Sequence, residues 1–507
     1  MSRLSKNILY NLFGQGLLVI LGFVAVKFIF KQLGQDALGI IYFTLTLNAL
    51  LTALLALGIN ETTVREVAAF HEDDPTYITK LLQTASFFYW GLYVLTAVGL
   101  YASAPWLVTK WINLDTLNPF TATRILRVLG IASLLALPRS FYMSTLRGIQ
   151  RMEFTNVIDV GTSALQQFGT IGILLLGGGL IQVTHWMAGC YLLGVVVYVT
   201  VCAHFFGFKV FVPRISTSVI DRNAGYTFRL AGITVLSIIH TQSDKAIVSK
   251  LLPLGVFGYY GMAYNAVSRG MLVSASVSQA VFPSFSALYK QGNRDGLMCQ
   301  YRKLQDLLCY AVIPMFAAIP FAARPLFTFV LNAETARMLL WPVTFLSIGF
   351  CMNGTMSIPY VLSLAVGKPE IAARTNFYAL FAVLPVTVLL VYEFGIAGAG
   401  FSWVFYHLFA YAVMMPRTCS ECLDMPVRKW YLHVFKIFAL AGLTYGGAWA
   451  IIASLGSSSI LSLALGYAFA SIAFVAAAYR LIGDELRETL RRVAFLKPAP
   501  ASTSPLV

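Results

Sequence analysis

The chain has 507 residues, of which 58% are hydrophobic and only 11% are charged, and its formal net charge is +15. Soluble domains carry about 25% charged residues, so this composition excludes a soluble globular protein. The positive charge fits basic cytoplasmic loops better than a nucleic-acid surface, because no basic cluster with interleaved aromatic residues stands out. We therefore predict no nucleic-acid partner.

Apolar stretches of about 20 residues recur along nearly the whole chain, and each is long enough to cross a hydrocarbon core of about 30 Å as a helix. Lipid offers backbone amides no water partner, so helices are the expected spanning form. The pattern predicts an all-α integral membrane protein with about fourteen transmembrane helices. The predicted spans are 8–30, 38–59, 82–103, 123–143, 157–176, 181–206, 227–251, 255–283, 305–331, 338–361, 371–393, 396–416, 431–453 and 459–480.

The basic residues set the expected orientation of these spans. With the N-terminus inside, 25 of the 36 Lys and Arg residues fall in cytoplasmic segments. Membrane proteins gather Lys and Arg in cytoplasmic loops. The pattern predicts a multi-pass protein of the cytoplasmic (inner) membrane with both termini in the cytoplasm.

A segment of sixteen residues is repeated along the chain. KFIFKQLGQDALGIIY begins at Lys27 and KAIVSKLLPLGVFGYY begins at Lys245, so Tyr42 pairs with Tyr260 without a gap. Six predicted spans separate the copies, and an even number preserves orientation, which predicts two parallel six-helix lobes around a central cavity. The predicted parts are an N-lobe at 1–223, a C-lobe at 224–417, an appended helix pair at 418–480, and a cytoplasmic amphipathic helix with a disordered tail at 481–507.

Arg269 is the strongest candidate for a substrate-binding residue. It lies about 14 residues into span eight, on the order of 21 Å along the helix, which is too deep for easy escape to the outer interface. A charge in hydrocarbon costs roughly 2.5–3.5 kcal/mol and should therefore face a cavity or a partner. Asn265 falls on the same helical face, so the pattern favours a wet cavity over a hydrogen-bonded seam between helices.

The repeated lysines, Lys27 and Lys245, are further candidates for the cavity, although either ammonium could instead extend to the outer interface. Asn11 and Gln15 of span one are candidate hydrogen-bonding groups of the same cavity. Asp244 is expected to point away from its neighbour Lys245, and it could pair with a cation on another span.

Two further groups of ionisable residues are candidates for a coupling site or a gate. Asp159, His240 and Asp244 could carry a coupling proton, whereas a hydrogen-bonded structural role is the common alternative. Glu61 and Arg65 are spaced i,i+4 at the start of a cytoplasmic helix, which predicts a surface ion pair or an inner gate.

The chain has no phosphate-binding loop, no nucleophile elbow, no zinc-protease motif and no Gly-rich dinucleotide turn. The cysteine pair at Cys419 and Cys422 has no second pair nearby, whereas a structural zinc site needs four ligands. We therefore predict no enzyme activity, no cofactor and no metal site.

Several segments in order resemble the polysaccharide-export (O-antigen) flippases of the multidrug/oligosaccharidyl-lipid/polysaccharide exporter superfamily. The resemblance covers most of residues 1–420. It is carried by NLFGQGLLVILGF, KQLGQDALGIIYFTLTL, LGINETTVREVA, the LRGIQR turn and DKAIVSKLLPLGVFGYYGMAY.

The resemblance implies a cation-lined central cavity and translocation of a polyprenyl-diphosphate-linked oligosaccharide, such as an O-antigen, capsule or exopolysaccharide repeat unit, by alternating access. The implied partners are this lipid-linked substrate, membrane lipids and other polysaccharide-assembly proteins. Relatives that flip the peptidoglycan precursor place arginines near Lys27, where this chain has Ala25 and Val26. Two alternatives stay open: a multidrug/cation antiporter of the same superfamily, and a membrane-embedded polysaccharide polymerase or ligase.

Overall fold

The computed structural model describes residues 3–56, 58–456 and 459–488, without the side chains of 3–17, 226, 228–234, 237, 240, 279 and 280. Within those residues all regular structure is helical apart from one isolated bridge between Asn113 and Pro253. The α-helices are α1 Arg3–Leu33, α2 Gln35–Leu55, α3 Ile59–Phe70, α4 Pro75–Trp106, α5 Pro119–Ser133, α6 Ala136–Gly148, α7 Met152–Leu175, α8 Leu180–Phe206, α9 Thr217–Leu251, α10 Leu254–Ser268, α11 Met271–Lys290, α12 Arg294–Val330, α13 Ala333–Ala365, α14 Glu370–Thr418, α15 Val427–Ala441, α16 Gly447–Ser454 and α17 Ile460–Leu481.

Ten helices in the described part of the chain are long and apolar enough to cross a membrane. One of them, Glu370–Leu423, is 54 residues long. It is interrupted at Gly395, whose φ of 58° lies in the left-handed region, and it covers the predicted spans eleven and twelve. Helices α1, α7 and α9 coincide with predicted spans but are not among the ten. The predicted all-α membrane fold is confirmed, whereas the count of fourteen remains a prediction.

The outward side chains of the last helix show why the fold needs lipid. In α17, Phe469 is 78% exposed and Ile472 is 69% exposed. Exposing such a surface to water would be strongly unfavourable, because the free-energy cost is proportional to the apolar surface area exposed. This surface of α17 is therefore suited to contact with hydrocarbon.

The chain folds into two compact units. The first comprises Met1–Ala263, Phe327–Thr335 and Leu384–Ala399, and the second comprises Tyr264–Leu326, Ala336–Val383 and Gly400–Val507. The lobe boundaries predicted at residues 223 and 417 remain a prediction.

Inside the first unit, the beginnings of α2 and α10 pack closely through glycines; we call this packed region the α2–α10 seam. A Cβ added to Gly39 would lie 2.2 Å from the carbonyl oxygen of Leu254, and one added to Gly258 would lie 2.7 Å from the backbone nitrogen of Gly39. A Cβ on Gly261 would lie 3.3 Å from the Cβ of Tyr42. The two helix beginnings can approach this closely only because glycines occupy the crossing.

Near the α2–α10 seam, the loop after α4 makes hydrogen bonds to neighbouring helices. The Asp36 carboxylate accepts hydrogen bonds from the backbone N–H groups of Thr116 and Leu117 at 2.6 and 3.0 Å. The indole of Trp111 donates to Ser249 at 3.1 Å. These bonds connect the loop after α4 to the start of α2 and to the end of α9.

In the second unit, a buried carboxylate of α12 contacts α15 and the segment that follows α17. Asp306 is 7% exposed. Its Oδ2 accepts the backbone N–H of Gly483 at 2.7 Å, and its Oδ1 lies 3.0 Å from Nε2 of His433 on α15. Ile482 and Leu486 are 5% and 4% exposed. These two apolar side chains of the predicted amphipathic helix therefore pack against protein. Residues 489–507, the rest of that predicted helix and the predicted tail, lie outside the described residues.

Candidate functional site

Arg269 lies in the second unit, at the break between α10 and α11. Helix α10 ends at Ser268 and α11 begins at Met271, so Arg269 and Gly270 form the connection. A Cβ on Gly270 would lie 2.8 Å from the ring of Phe316, which places the break tightly against α12. Both Arg269 and Asn265 are exposed. A guanidinium and an amide, one helical turn apart, can bind a phosphate and a sugar hydroxyl respectively.

Lys27 lies on α1 in the first unit and its ammonium is 3.3 Å from the centroid of the Phe329 ring. The side chain is half-buried. A cation over an aromatic face is stabilised by about 0.5–2 kcal/mol, and the ring holds the ammonium without neutralising its charge. The ammonium of Lys27 can therefore still attract an anionic ligand.

Lys245, the second copy of Lys27, has a different environment. It is 5% exposed, and its Nζ donates to the carbonyl of Thr241 at 2.9 Å and to Oδ1 of Asp244 at 3.3 Å. The hydroxyl of Tyr260 donates to the other oxygen of Asp244 at 2.5 Å. The expectation that Asp244 points away from Lys245 is wrong, because the four-carbon lysine stem folds back along the helix to reach it.

Asp159 is bound to an arginine that the charge pattern of the sequence places in a cytoplasmic segment. Arg139 of α6 donates to Oδ1 of Asp159 on α7 at 2.5 Å, and Tyr198 of α8 donates to the same oxygen at 2.6 Å. The two ion-paired side chains are 21% and 39% exposed. Arg139 precedes the Gly148–Met152 turn by nine residues and Asp159 follows it by seven. These similar distances from the turn bring the two side chains close together across the α6–α7 hairpin.

Arg65 lies one helical turn from Glu61, and it forms an ion pair with its neighbour Glu66. Its Nη2 is 2.6 Å from Oε1 of Glu66, which is 4% exposed. Tyr77 of α4 donates to Glu66 at 2.7 Å, and Arg222 of α9 approaches it at 3.6 Å. Glu61 is exposed on α3. The network joins α3, α4 and the start of α9 through Glu66, a residue that the sequence pattern does not single out.

Three of the predicted site residues cannot be placed. The side chains of Asn11, Gln15 and His240 lie outside the described residues, although their backbones lie in α1 and α9. Among the placed residues, Lys27, Lys245, Asp244, Asp159, Glu61 and Arg65 belong to the first unit, and Asn265 and Arg269 to the second.

The helical architecture defines a polytopic membrane protein, and comparisons with known proteins identify its family. The family model described as "Polysaccharide biosynthesis protein" matches residues 31–338. That is more than half of the chain, so the protein belongs to this family.

Two curated relatives are similar in sequence. A Shigella flexneri protein named as a candidate O-antigen transporter is 20% identical over 406 residues, which are 78% of this chain and 93% of the relative. A membrane protein from the cps region of Klebsiella pneumoniae is 22% identical over 256 residues, which are 48% of this chain and 52% of the relative.

Solved structures are similar in fold. The lipid II flippase MurJ in an inward closed conformation has a TM-score of 0.69 at 12% identity, covering 93% of this chain and 99% of that chain. An inward-facing multidrug resistance transporter of the MATE family has a TM-score of 0.66 at 15% identity, covering 81% and 95% respectively. At these identities the likeness establishes the fold alone.

Proposed function

We propose that the chain is a flippase that moves a polyprenyl-diphosphate-linked oligosaccharide across the cytoplasmic membrane by alternating access. The observation that carries the proposal is the exposed guanidinium of Arg269 at a break in a membrane helix. Membership of the polysaccharide biosynthesis family and the similarity to a protein named for O-antigen transport support this substrate class.

The chemistry of the available groups suits the head group of such a lipid. A diphosphate is a multiply charged anion, and Arg binds phosphate oxygens with two parallel hydrogen bonds, while Lys acts as a point charge. In the proposal Arg269 of the second unit takes the first role, and Asn265 of the same unit binds the sugar. Lys27 of the first unit is proposed separately as a point charge for an anionic ligand. Lys245 is less suited, because the carboxylate of Asp244 already lies 3.3 Å from its ammonium.

The remaining parts of the proposal concern orientation and partners. In the proposal both termini lie in the cytoplasm, and the substrate enters from the cytoplasmic leaflet, where glycan lipids are assembled. Other polysaccharide-assembly proteins would then receive the product. In this scheme Glu61 and Arg65 contribute to an inner gate, in which Arg65 also pairs with Glu66. Asp159 is proposed to take part in the transport cycle.

The similarity to MATE-family structures makes a drug or cation antiporter the second candidate. An organic cation would be repelled by the guanidinium of Arg269, whereas a diphosphate would be attracted to it. Electrostatics therefore favours the flippase.

Arg269→Ala is expected to reduce glycan export in a deletion strain by about tenfold or more, because a hydrogen bond to a charged group contributes about 1.5–3 kcal/mol. The measurement is surface glycan together with lipid-linked oligosaccharide retained in the inner leaflet. Arg124→Ala, which removes another exposed arginine, is the control and should export normally at equal protein level.

Normal export in both the deletion strain and the Arg269→Ala strain would refute the flippase. If the deletion strain exports normally but becomes sensitive to cationic drugs, the antiporter replaces it.

A further inference from the structure

The face of α7 that carries Asp159 is polar along most of the helix. Asn156, Asp159, Ser163, Gln166 and Thr170 follow one another at spacings of three and four residues, so they share one stripe. We call these five residues the α7 stripe.

The α7 stripe does not face the surrounding lipid. Val157 and Phe168 are 71% and 58% exposed, and they lie roughly 160° around the helix from the stripe. Polar side chains in a membrane helix face a partner or a wet cavity. Thr170 is buried, Asp159 is partly exposed, and Asn156 is exposed. Accessibility therefore grows along the stripe toward the start of α7, the end that the predicted topology places at the cytoplasm.

Arg139 lies across from the middle of this stripe. Its Nη2 lies 2.5 Å from Asp159 and 3.5 Å from the hydroxyl of Thr162, and its guanidinium carbon is 5.3 Å from the centroid of the Tyr198 ring. Arg139 lies about 13 Å before the end of α6 and Asp159 about 10 Å after the start of α7, at 1.5 Å per residue. These depths match, and both side chains keep some exposure.

We infer that Arg139 is a second diphosphate-binding residue, located in the first unit, and that Asp159 occupies its guanidinium until the substrate arrives. The inference rests on the proposed function. A diphosphate offers the same planar pair of oxygen acceptors as a carboxylate with more negative charge, so it can replace Asp159 on the guanidinium. Tyr198 stays bound to Asp159 and stabilises the released carboxylate. The polar groups of the stripe then face the first sugars.

The arrangement predicts opposite effects for the two members of the pair. Asp159→Asn removes the competing carboxylate, keeps an oxygen acceptor for Tyr198 and should tighten binding of a diphosphate. Arg139→Gln should weaken binding, and Arg139→Lys should fall between wild type and Arg139→Gln, because Lys cannot form the two parallel bonds. A purely structural ion pair would not produce a gain in affinity on the loss of its acid.

The test measures the binding of farnesyl diphosphate, which has the diphosphate and an isoprenoid but no sugar, to the purified full chain in nanodiscs. We expect Kd to fall by about threefold or more for Asp159→Asn and to rise by about tenfold or more for Arg139→Gln, given about 1.5–3 kcal/mol per charged hydrogen bond. The double variant Arg139→Gln/Asp159→Asn removes both charges, keeps a neutral hydrogen-bonding pair, and should bind as weakly as Arg139→Gln.

An unchanged Kd in Asp159→Asn, Arg139→Gln and the double variant, with wild type still binding, would refute the role of Arg139 and leave the flippase proposal standing. A wild-type chain that does not bind farnesyl diphosphate would overturn both.

Discussion

Asp244→Ala should lower the free energy of unfolding by about 3–5 kcal/mol, because removing one partner of a buried ion pair leaves the other charge without that partner. Lys245 and Asp244 are 5% and 4% exposed, and their charged atoms are 3.3 Å apart. The variant also removes the acceptor of the Tyr260 hydroxyl. Thermal unfolding of the purified protein in detergent measures the loss.

Three variants show whether the charge pair causes the effect. Asp244→Asn keeps an acceptor for Tyr260 and should lose less stability than Asp244→Ala. Asp244→Ala with Lys245→Met removes both charges and should recover most of the loss. Asp221→Ala removes an exposed acid from the same helix and should change little. Equal stability of Asp244→Ala and Asp221→Ala would contradict a stabilising role for the pair.

Oxidation of a cysteine pair at Tyr42 and Gly261 should stop transport, and a reducing agent should restore it. The Cβ positions of these residues are 3.3 Å apart, close to the 3.5–4.5 Å that disulfides require. The predicted lobes at 1–223 and 224–417 hold α2 and α10 respectively, so alternating access by movement of these lobes would separate the α2–α10 seam, and a covalent bond across it would prevent this. Glycan export before and after treatment with an oxidant is the measurement.

The seven native cysteines are replaced first, so that only the introduced pair can react. Each single variant, Tyr42→Cys or Gly261→Cys, should transport equally with and without oxidant. Quantitative cross-linking with undiminished transport would mean that α2 and α10 stay together throughout the cycle.

Composition and periodicity predict the membrane helices well, because a stretch of about 20 apolar residues has few alternatives in lipid. The same reasoning cannot predict what Lys27 and Lys245 do. Their sequences align without a gap, yet one ammonium lies over the ring of Phe329 and the other binds Asp244. Phe329 is about 300 residues from Lys27 along the chain, so only the fold brings them together.

Arg269 is predicted as a charge inside a span, and the structure adds that a helix break exposes it. Arg139 counts as a cytoplasmic cation in the sequence, because charge counts along a chain ignore which residues meet across a hairpin. Its partner Asp159 is recognisable as unusual, but the pairing with Arg139 and Tyr198 depends on the packing of α6, α7 and α8. The role of Glu66 is not predictable from the sequence either, because its partners come from three helices that only the fold brings together.

The α2–α10 seam has a consequence for the origin of the chain. It joins the last parts of the two repeated segments, with Gly39 of the first copy against Gly258 of the second, and Gly258 corresponds to Ile40. If the copies arose by duplication, their precursor would have met a second molecule of itself through nearly the same surface, as the subunits of a two-fold homodimer do. Fusion into one polypeptide would then have freed each side to diverge, and the different environments of Lys27 and Lys245 would record that loss of symmetry.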